Sequence, residues 1–376
     1  MRLLDRYLLR ELIAPFACCL GGFLLFWIAS DLFTELDSFR SRAMTLRDIT
    51  DYYVATTPAF LVFITPIALL LALLYCLTNH SRHNEITAIR AAGVSLWRLC
   101  APYFAVGFLV SLAILALNEY WVPDSSDRAE EIRNRHVTGR ATVAAKNEER
   151  LLGFHNSGAR RTWQIGLYKS ETGDMVKPEI FWYENTNSGL RLRADAGAFT
   201  NGVWVFTNAR LYRQFLGTNT LPELLLTTNS LAMPSFNETP ELIKSEIKVR
   251  EGLQRGRMRV KRADLSVAEI LNYLRLHPNP SRSERAWLAT KLHGRLAAPW
   301  TPFVVVLIAV PFGAASGRRN IFVGVAGSIV ICFSYFVLQQ LGLATGAGGH
   351  IEPWLAAWFP NLFFGVVGFV LMARVR

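Results

Sequence analysis

Few residues in this chain are placed to do chemistry, and the most conspicuous group is a polar run between two long apolar stretches. Ser81 to Ser95, SRHNEITAIRAAGVS, carries Arg82, His83, Asn84, Glu85 and Arg90. Charges at that density do not enter lipid, and a helix of roughly ten residues is not stable alone in water. Ile86 and Ile89 lie three apart on one side, while Ala88, Ala91, Ala92 and Gly93 form a small-residue surface. That pattern suits a helix docked into a groove on another protein, where small residues allow close approach and Glu85 supplies a charged contact. Gly93 is placed to terminate it.

Catalytic patterns are missing elsewhere. The run GLYKS at 166–170 lacks the Gly-Lys-Ser/Thr order of a phosphate-binding loop. The sequence holds no His-Glu-x-x-His, Gly-x-Ser-x-Gly or paired-cysteine motif. Cys18, Cys19, Cys76, Cys100 and Cys332 all fall in or at the edge of apolar runs, which marks them as soft packing residues. No metal site, no cofactor bound by this chain and no enzymatic activity of its own are expected. The formal charge of +11 comes with arginines flanking apolar runs and without aromatic-interleaved basic motifs, so nucleic acid is not an expected partner.

The elements that must carry these residues are transmembrane helices. Hydrophobic residues make up 51% of the chain. Six segments lack Asp, Glu, Lys and Arg: Leu12–Ser30, Tyr52–Asn79, Leu99–Asn118, Leu296–Gly317, Asn320–Gly349 and Pro353–Met372. Each reaches or approaches the roughly 20 residues needed to cross ~30 Å of hydrocarbon. Arg2, Arg6, Arg10, Arg82, Arg90, Arg98, Arg318, Arg319, Arg374 and Arg376 share one side of such a six-span chain. The positive-inside rule therefore puts both termini and residues 81–95 in the cytoplasm. The first eleven residues read as an amphipathic interfacial helix that turns into the first span near Pro15.

Between the third and fourth spans the period changes from helix to strand. RTWQIGLYKS, EIFWYENT, GLRLRADAGAFT and GVWVFTNARLYRQF alternate and are rich in β-branched and aromatic residues. Asn201-Gly202 is a hairpin turn, and Ser266 with Glu269 makes a capping box. The expected fold is an α-helical membrane protein with six transmembrane helices and an inserted external antiparallel β-domain, sandwich or jelly-roll-like. Its divisions fall at 1–122, 123–290 and 291–376.

Two further groups bear on a substrate. The span interiors lack charged residues, which disfavours an ion-coupled carrier and implies that any energy enters from another chain. Arg40, Arg42 and Arg47, in the external loop after the first span, could meet anionic lipid headgroups, although neighbouring acids also balance them. Gly324, Gly327 and Ser328 give the fifth span a small-residue face for helix packing or a lateral gate.

Several stretches together resemble the LptF/LptG permeases, the transmembrane subunits of the lipopolysaccharide-export ABC transporter. They are LDRYLLRELI, FTELDSF, RHNEITAIRAAGVSLWRL, VPDSSDRAEEIRNR, KLHGRLAAPWTPFVVVLIAVPFG, GRRNIFVGV and WLAAWFPNLFFGVVGF. The resemblance implies six spans, a periplasmic β-jellyroll after the third, pairing with a second homologous permease, and a cytoplasmic ABC ATPase dimer that binds ATP and Mg. It implies that residues 81–95 are the coupling helix, with Arg82, Asn84, Glu85, Ile86, Arg90, Ala91 and Gly93 in that role. The first and fifth spans would line gates for lipopolysaccharide or a related glycolipid, which passes on to periplasmic bridge proteins. A different reading is a non-transporting membrane anchor that displays the β-domain, and it predicts no bound ATPase.

Overall fold

The computed structural model describes residues 3–135, 148–170, 172–184, 188–215, 221–255, 265–313 and 321–374. The chain divides into two compact units, Met1–Arg133 with Arg282–Arg376, and Asn134–Ser281. The boundaries expected at 122/123 and 290/291 fall inside helices α5 (Val122–Asn134) and α8 (Arg282–Ala297). The reason is that both helices extend the spans beside them, which composition alone does not reveal.

The first unit is helical. Its N-terminal part holds α1 (Leu3–Ser41), α2 (Leu46–Arg82), α3 (Glu85–Ala91), α4 (Leu96–Tyr120) and most of α5. Its C-terminal part holds α8, a 3₁₀ turn (Ala298–Trp300), α9 (Thr301–Gly313), α10 (Ile321–Ala347) and α11 (Pro353–Arg374). Among the described residues six helical segments are long and apolar enough to cross a membrane, with α8, the turn and most of α9 acting as one. The expected turn at Pro15 does not occur. Helix α1 runs unbroken through Pro15, because a proline removes only one ladder bond and the helix satisfies its remaining backbone groups internally.

The helical core gathers Leu69, Leu73 and Leu77 of α2, Cys100 and Tyr103 of α4, and Val306, Ile308 and Val310 of α9. Close approach is set by glycine. A Cβ on Gly107 would stand 2.9 Å from Val306, and one on Gly368 would stand 2.9 Å from the Leu307 backbone. A polar link crosses this apolar interior. Thr301 N bonds to the Ala298 carbonyl in the 3₁₀ turn, so the Ala297 carbonyl leaves the ordinary ladder. Asn361 donates to it at 2.8 Å, Tyr335 donates to Asn361 Oδ1 at 2.6 Å, and Thr301 Oγ1 lies 2.8 Å from the Tyr335 hydroxyl. Three spans are thereby bonded around one helix irregularity.

The second unit is an antiparallel sheet with helices. Among the described residues its strands are β1 (Glu148–Asn156), β2 (Arg161–Lys169), β3 (Met175–Tyr183), β4 (Ser188–Arg193), β5 (Ala196–Thr200), β6 (Val203–Phe215) and β7 (Glu223–Met233). β4 and β5 both lie between β3 and β6 and act as one strand broken at Ala194-Asp195. The sheet is therefore a meander from β1 to β7. Asn201 and Gly202, at φ 52° and 81°, form the turn between β5 and β6.

One side of the sheet is the core of this unit, where Trp163, Tyr168, Ile180, Trp204 and Phe206 pack with Phe236 and Ile243. Ile243 belongs to α6 (Pro240–Arg255), and α7 (Val267–Leu276) follows under the expected capping box. Ser266 N donates to Glu269 Oε2 at 2.8 Å, and Glu269 N donates to Ser266 Oγ at 3.1 Å. Glu238 is fully buried beside this core. Asn156 donates to it at 2.7 Å and Arg161 at 2.5 Å, while its own carbonyl accepts the Trp204 indole N–H at 2.5 Å. A buried carboxylate is tolerable only with such complete pairing.

Candidate functional site

The polar run 81–95 is built as a turn, a short helix and a second turn. Helix α2 ends at Arg82, and Asn84 takes a left-handed φ of 57° to start α3. Gly93, at φ 84°, ends it in the left-handed conformation that glycine adopts without strain. Ser95 Oγ accepts from Arg98 N at 3.3 Å and opens α4.

The two sides of α3 differ as the residue types require. Ile86 is buried in the helical core with Leu96 and Leu99, and Ile89 packs against the same cluster. This apolar side seats the helix on its own chain. Arg82, His83, Asn84, Thr87, Ala88, Ala91, Ala92 and Gly93 are exposed, while Arg90 is half-buried. The outward surface is thus a patch of small residues rimmed by polar ones, open to a close-packed partner.

Glu85 is held inward rather than left in solvent. Its Oε2 meets His80 Nδ1 at 2.7 Å and accepts the Tyr7 hydroxyl at 3.0 Å, and its side chain remains about one-third exposed. His80 is buried, and its Nε2 stands 3.3 Å from Cys76 Sγ. Tyr7 carried no signal of this role in the sequence, because it lies 78 residues from Glu85, whereas His80 is only five residues away.

At the opposite end of the bundle, the three arginines expected near a substrate do not act as one group. Arg40 and Arg47 are exposed, while Arg42 is half-buried and donates to the Arg133 carbonyl at 3.4 Å. Arg133, which sequence reasoning passed over, reaches α1 from α5. It pairs with Glu35 and donates to Ser38 at 3.1 Å. Nearby, Tyr53 donates to Asp31 at 3.2 Å. The acids at this end of α1 are thus answered by groups from α5 and α2.

The small-residue face on the fifth span lies partly outside the described side chains. Gly324 and Ser328 belong to α10, and only the surroundings of Gly327 are described. A Cβ there would sit 3.6 Å from Phe312, an ordinary contact. Among the described residues, tight approaches on α10 occur at Gly342 and Gly346, a Gly-x-x-x-Gly pair. A Cβ on Gly342 would collide with the Ala356 carbonyl, and one on Gly346 would lie 2.6 Å from Ala356 Cβ.

The spans are unequally covered within the chain. Only 6% of the apolar window of α1 and 17% of that of α10 is buried, against 39% to 61% for the other four. Helices α1 and α10 therefore present the most open apolar faces.

The chain is 21% identical over 350 residues to the Lipopolysaccharide export system permease protein LptG of Haemophilus influenzae, covering 91% of this chain and 90% of that protein. Residues 6–374 match the family model described as Lipopolysaccharide export system permease LptF/LptG, so this chain belongs to the LptF/LptG permease family.

Proposed function

We propose that this chain is a permease subunit of an ABC transporter that extracts lipopolysaccharide, or a related glycolipid, from the outer leaflet of the inner membrane. It hands the lipid to periplasmic bridge proteins, and a separate cytoplasmic ATPase dimer holding ATP and Mg supplies the energy. Arginine placement supports cytoplasmic termini and a periplasmic β-unit. The chain works as half of a pair with a second homologous permease, and the open faces of α1 and α10 are the surfaces it offers to that partner and to lipid.

One observation carries this reading. Helix α3 is seated by Ile86 and Ile89, turns Ala88, Ala91, Ala92 and Gly93 outward, and lies between the second and third spans. Arg82, Asn84, Glu85, Ile86, Arg90, Ala91 and Gly93 then form the coupling element. Its exposed members meet the ATPase, and Ile86 transmits displacement to the helical core. Arg40 and Arg47 are the exposed bases available to lipid phosphates, while Arg42 is engaged with α5.

Purification in mild detergent, followed by mass spectrometry of bound proteins and lipids, tests the reading. An ABC-type ATPase and a phosphorylated glycolipid are expected, with the glycolipid lost on adding ATP and Mg. A preparation without an ATPase, whose bound lipid is indifferent to ATP, would instead indicate a membrane anchor.

A further inference from the structure

The first two turns of α1 grip the coupling segment on both sides. At the first residue of α3 the grip is Tyr7, whose hydroxyl donates to Glu85 Oε2. Downstream it is Asp5, whose Oδ2 lies 2.9 Å from Arg98 Nη2 in the first turn of α4. Asp5 is mostly buried, and Leu8 and Leu12 of the same helix are buried with Ile86, Leu96 and Leu99. Polar bonds and apolar packing thus join α1 to α3 over the same short stretch.

Behind Glu85 the bonds continue in one consistent direction. A carboxylate oxygen accepts only, so His80 carries its proton on Nδ1 and donates to Glu85. In the neutral imidazole its Nε2 is then the acceptor facing Cys76 Sγ at 3.3 Å, and Cys76 Sγ lies 3.6 Å from the Tyr103 hydroxyl. Tyr103, Cys76, His80, Glu85 and Tyr7 therefore form a relay across α4, α2, α3 and α1. Its inner members, Tyr103, Cys76 and His80, are buried, and hydrogen-bonded networks of this kind favour a single arrangement of the elements they join.

We propose that Tyr7 and His80 are positioning residues that fix the Glu85 carboxylate and make a displacement of α3 move α1. The inference rests on reading α3 as the coupling helix and adds a route to that reading. Helix α1 is the span with the most open apolar face, so a push on α3 that moves α1 reaches the face offered to lipid or to a second permease. The grip at Asp5 and Arg98 keeps the base of α1 level with the coupling segment while this happens.

The test uses the complete transporter with its ATPase, reconstituted in phosphatidylethanolamine and phosphatidylglycerol vesicles. The readout is lipopolysaccharide displaced per ATP hydrolysed. Tyr7→Phe and His80→Phe each lower that ratio about tenfold while the ATPase stays bound, the size expected for one hydrogen bond to a charged group. His80→Gln, which keeps a donor, retains most of it. Combining Tyr7→Phe with Glu85→Ala lowers the ratio no further than Glu85→Ala alone, because both remove the same bond. Wild-type ratios in Tyr7→Phe and His80→Phe, or losses that multiply in the double variant, would overturn the inference. Tyr7 is exposed, so Tyr7→Phe reports even if His80→Phe fails to fold. Full ATPase retention by Ala91→Trp, at an exposed position of α3, would instead remove the coupling reading itself.

Discussion

Asn361 of α11 donates its amide N–H to the carbonyl of Ala297 across 2.8 Å, at the turn where the fourth span leaves α-helical geometry. The same side chain accepts from Tyr335 of α10, so one residue joins three spans of the C-terminal half. Such a junction gives the half a fixed shape against which other helices can move. Asn361→Leu keeps the volume and leaves the Ala297 carbonyl and the Tyr335 hydroxyl without that partner. The expected cost is about 1 kcal/mol, the usual size for an interhelical hydrogen bond in a membrane. Thermal unfolding in detergent measures it, and an unchanged midpoint would mean that the link contributes nothing.

Gly342 makes a different kind of demand. No side chain fits between its Cα and the Ala356 backbone, so α10 and α11 approach as closely as two helices can. Gly342→Val should cost about 3 kcal/mol, the upper end for overpacking, because backbone rather than a flexible side chain must yield. Gly365 offers a control, since a Cβ there meets nothing within 4 Å. Gly365→Ala should hold or raise the unfolding midpoint, since alanine is the better helix former.

In the β-unit the buried carboxylate decides stability. Glu238→Ala strands Arg161 and Asn156 beside an apolar core, and a broken buried pair costs roughly 3–5 kcal/mol. Limited proteolysis of the full chain should then cut within 148–281 at protease levels that leave the wild type intact. Resistance equal to wild type would show that water or a rearranged Arg161 replaces the carboxylate.

Tyr168 supplies a pH test of the same unit. Burial, reinforced by the Asp174 carboxylate, pushes its phenol up to about 12. A raised pKa stabilises the folded state fully below the unfolded value of about 10, and this contribution is lost as pH rises through the folded value. The β-unit should lose stability between those two values, and Tyr168→Phe should flatten that loss. Tryptophan fluorescence of Trp163 and Trp204 during alkaline unfolding reads the difference.

How much of this was legible in the sequence depended on range. The six spans, the Asn201-Gly202 turn and the Ser266–Glu269 box are written in neighbouring residues, and the structure contains each of them. The continuity of α1 through Pro15 was not legible, since the same proline breaks a helix in water and is carried in an apolar span. Arg133 with Glu35, Tyr7 with Glu85 and Glu238 with Arg161 join residues 77 to 98 positions apart, and no local pattern announces such pairs. The Gly342–Gly346 spacing is readable, but spacing alone does not say that Ala356 is the neighbour it meets. At α3 the composition already marked a polar helix with a small-residue surface. It could not tell that Glu85 turns inward while Ala88, Ala91 and Ala92 face out.

The central claim is that the outward small-residue surface of α3 is where a separate ATPase drives this permease. Ala91→Trp places a bulky ring on an exposed position, where substitutions usually change stability by less than about 0.5 kcal/mol. The decisive measurement is the amount of ATPase retained, and of glycolipid displaced by ATP and Mg, in wild-type and Ala91→Trp preparations of equal thermal stability. The account predicts that the variant loses most of both. Full ATPase retention with undiminished ATP-driven displacement in Ala91→Trp would contradict it.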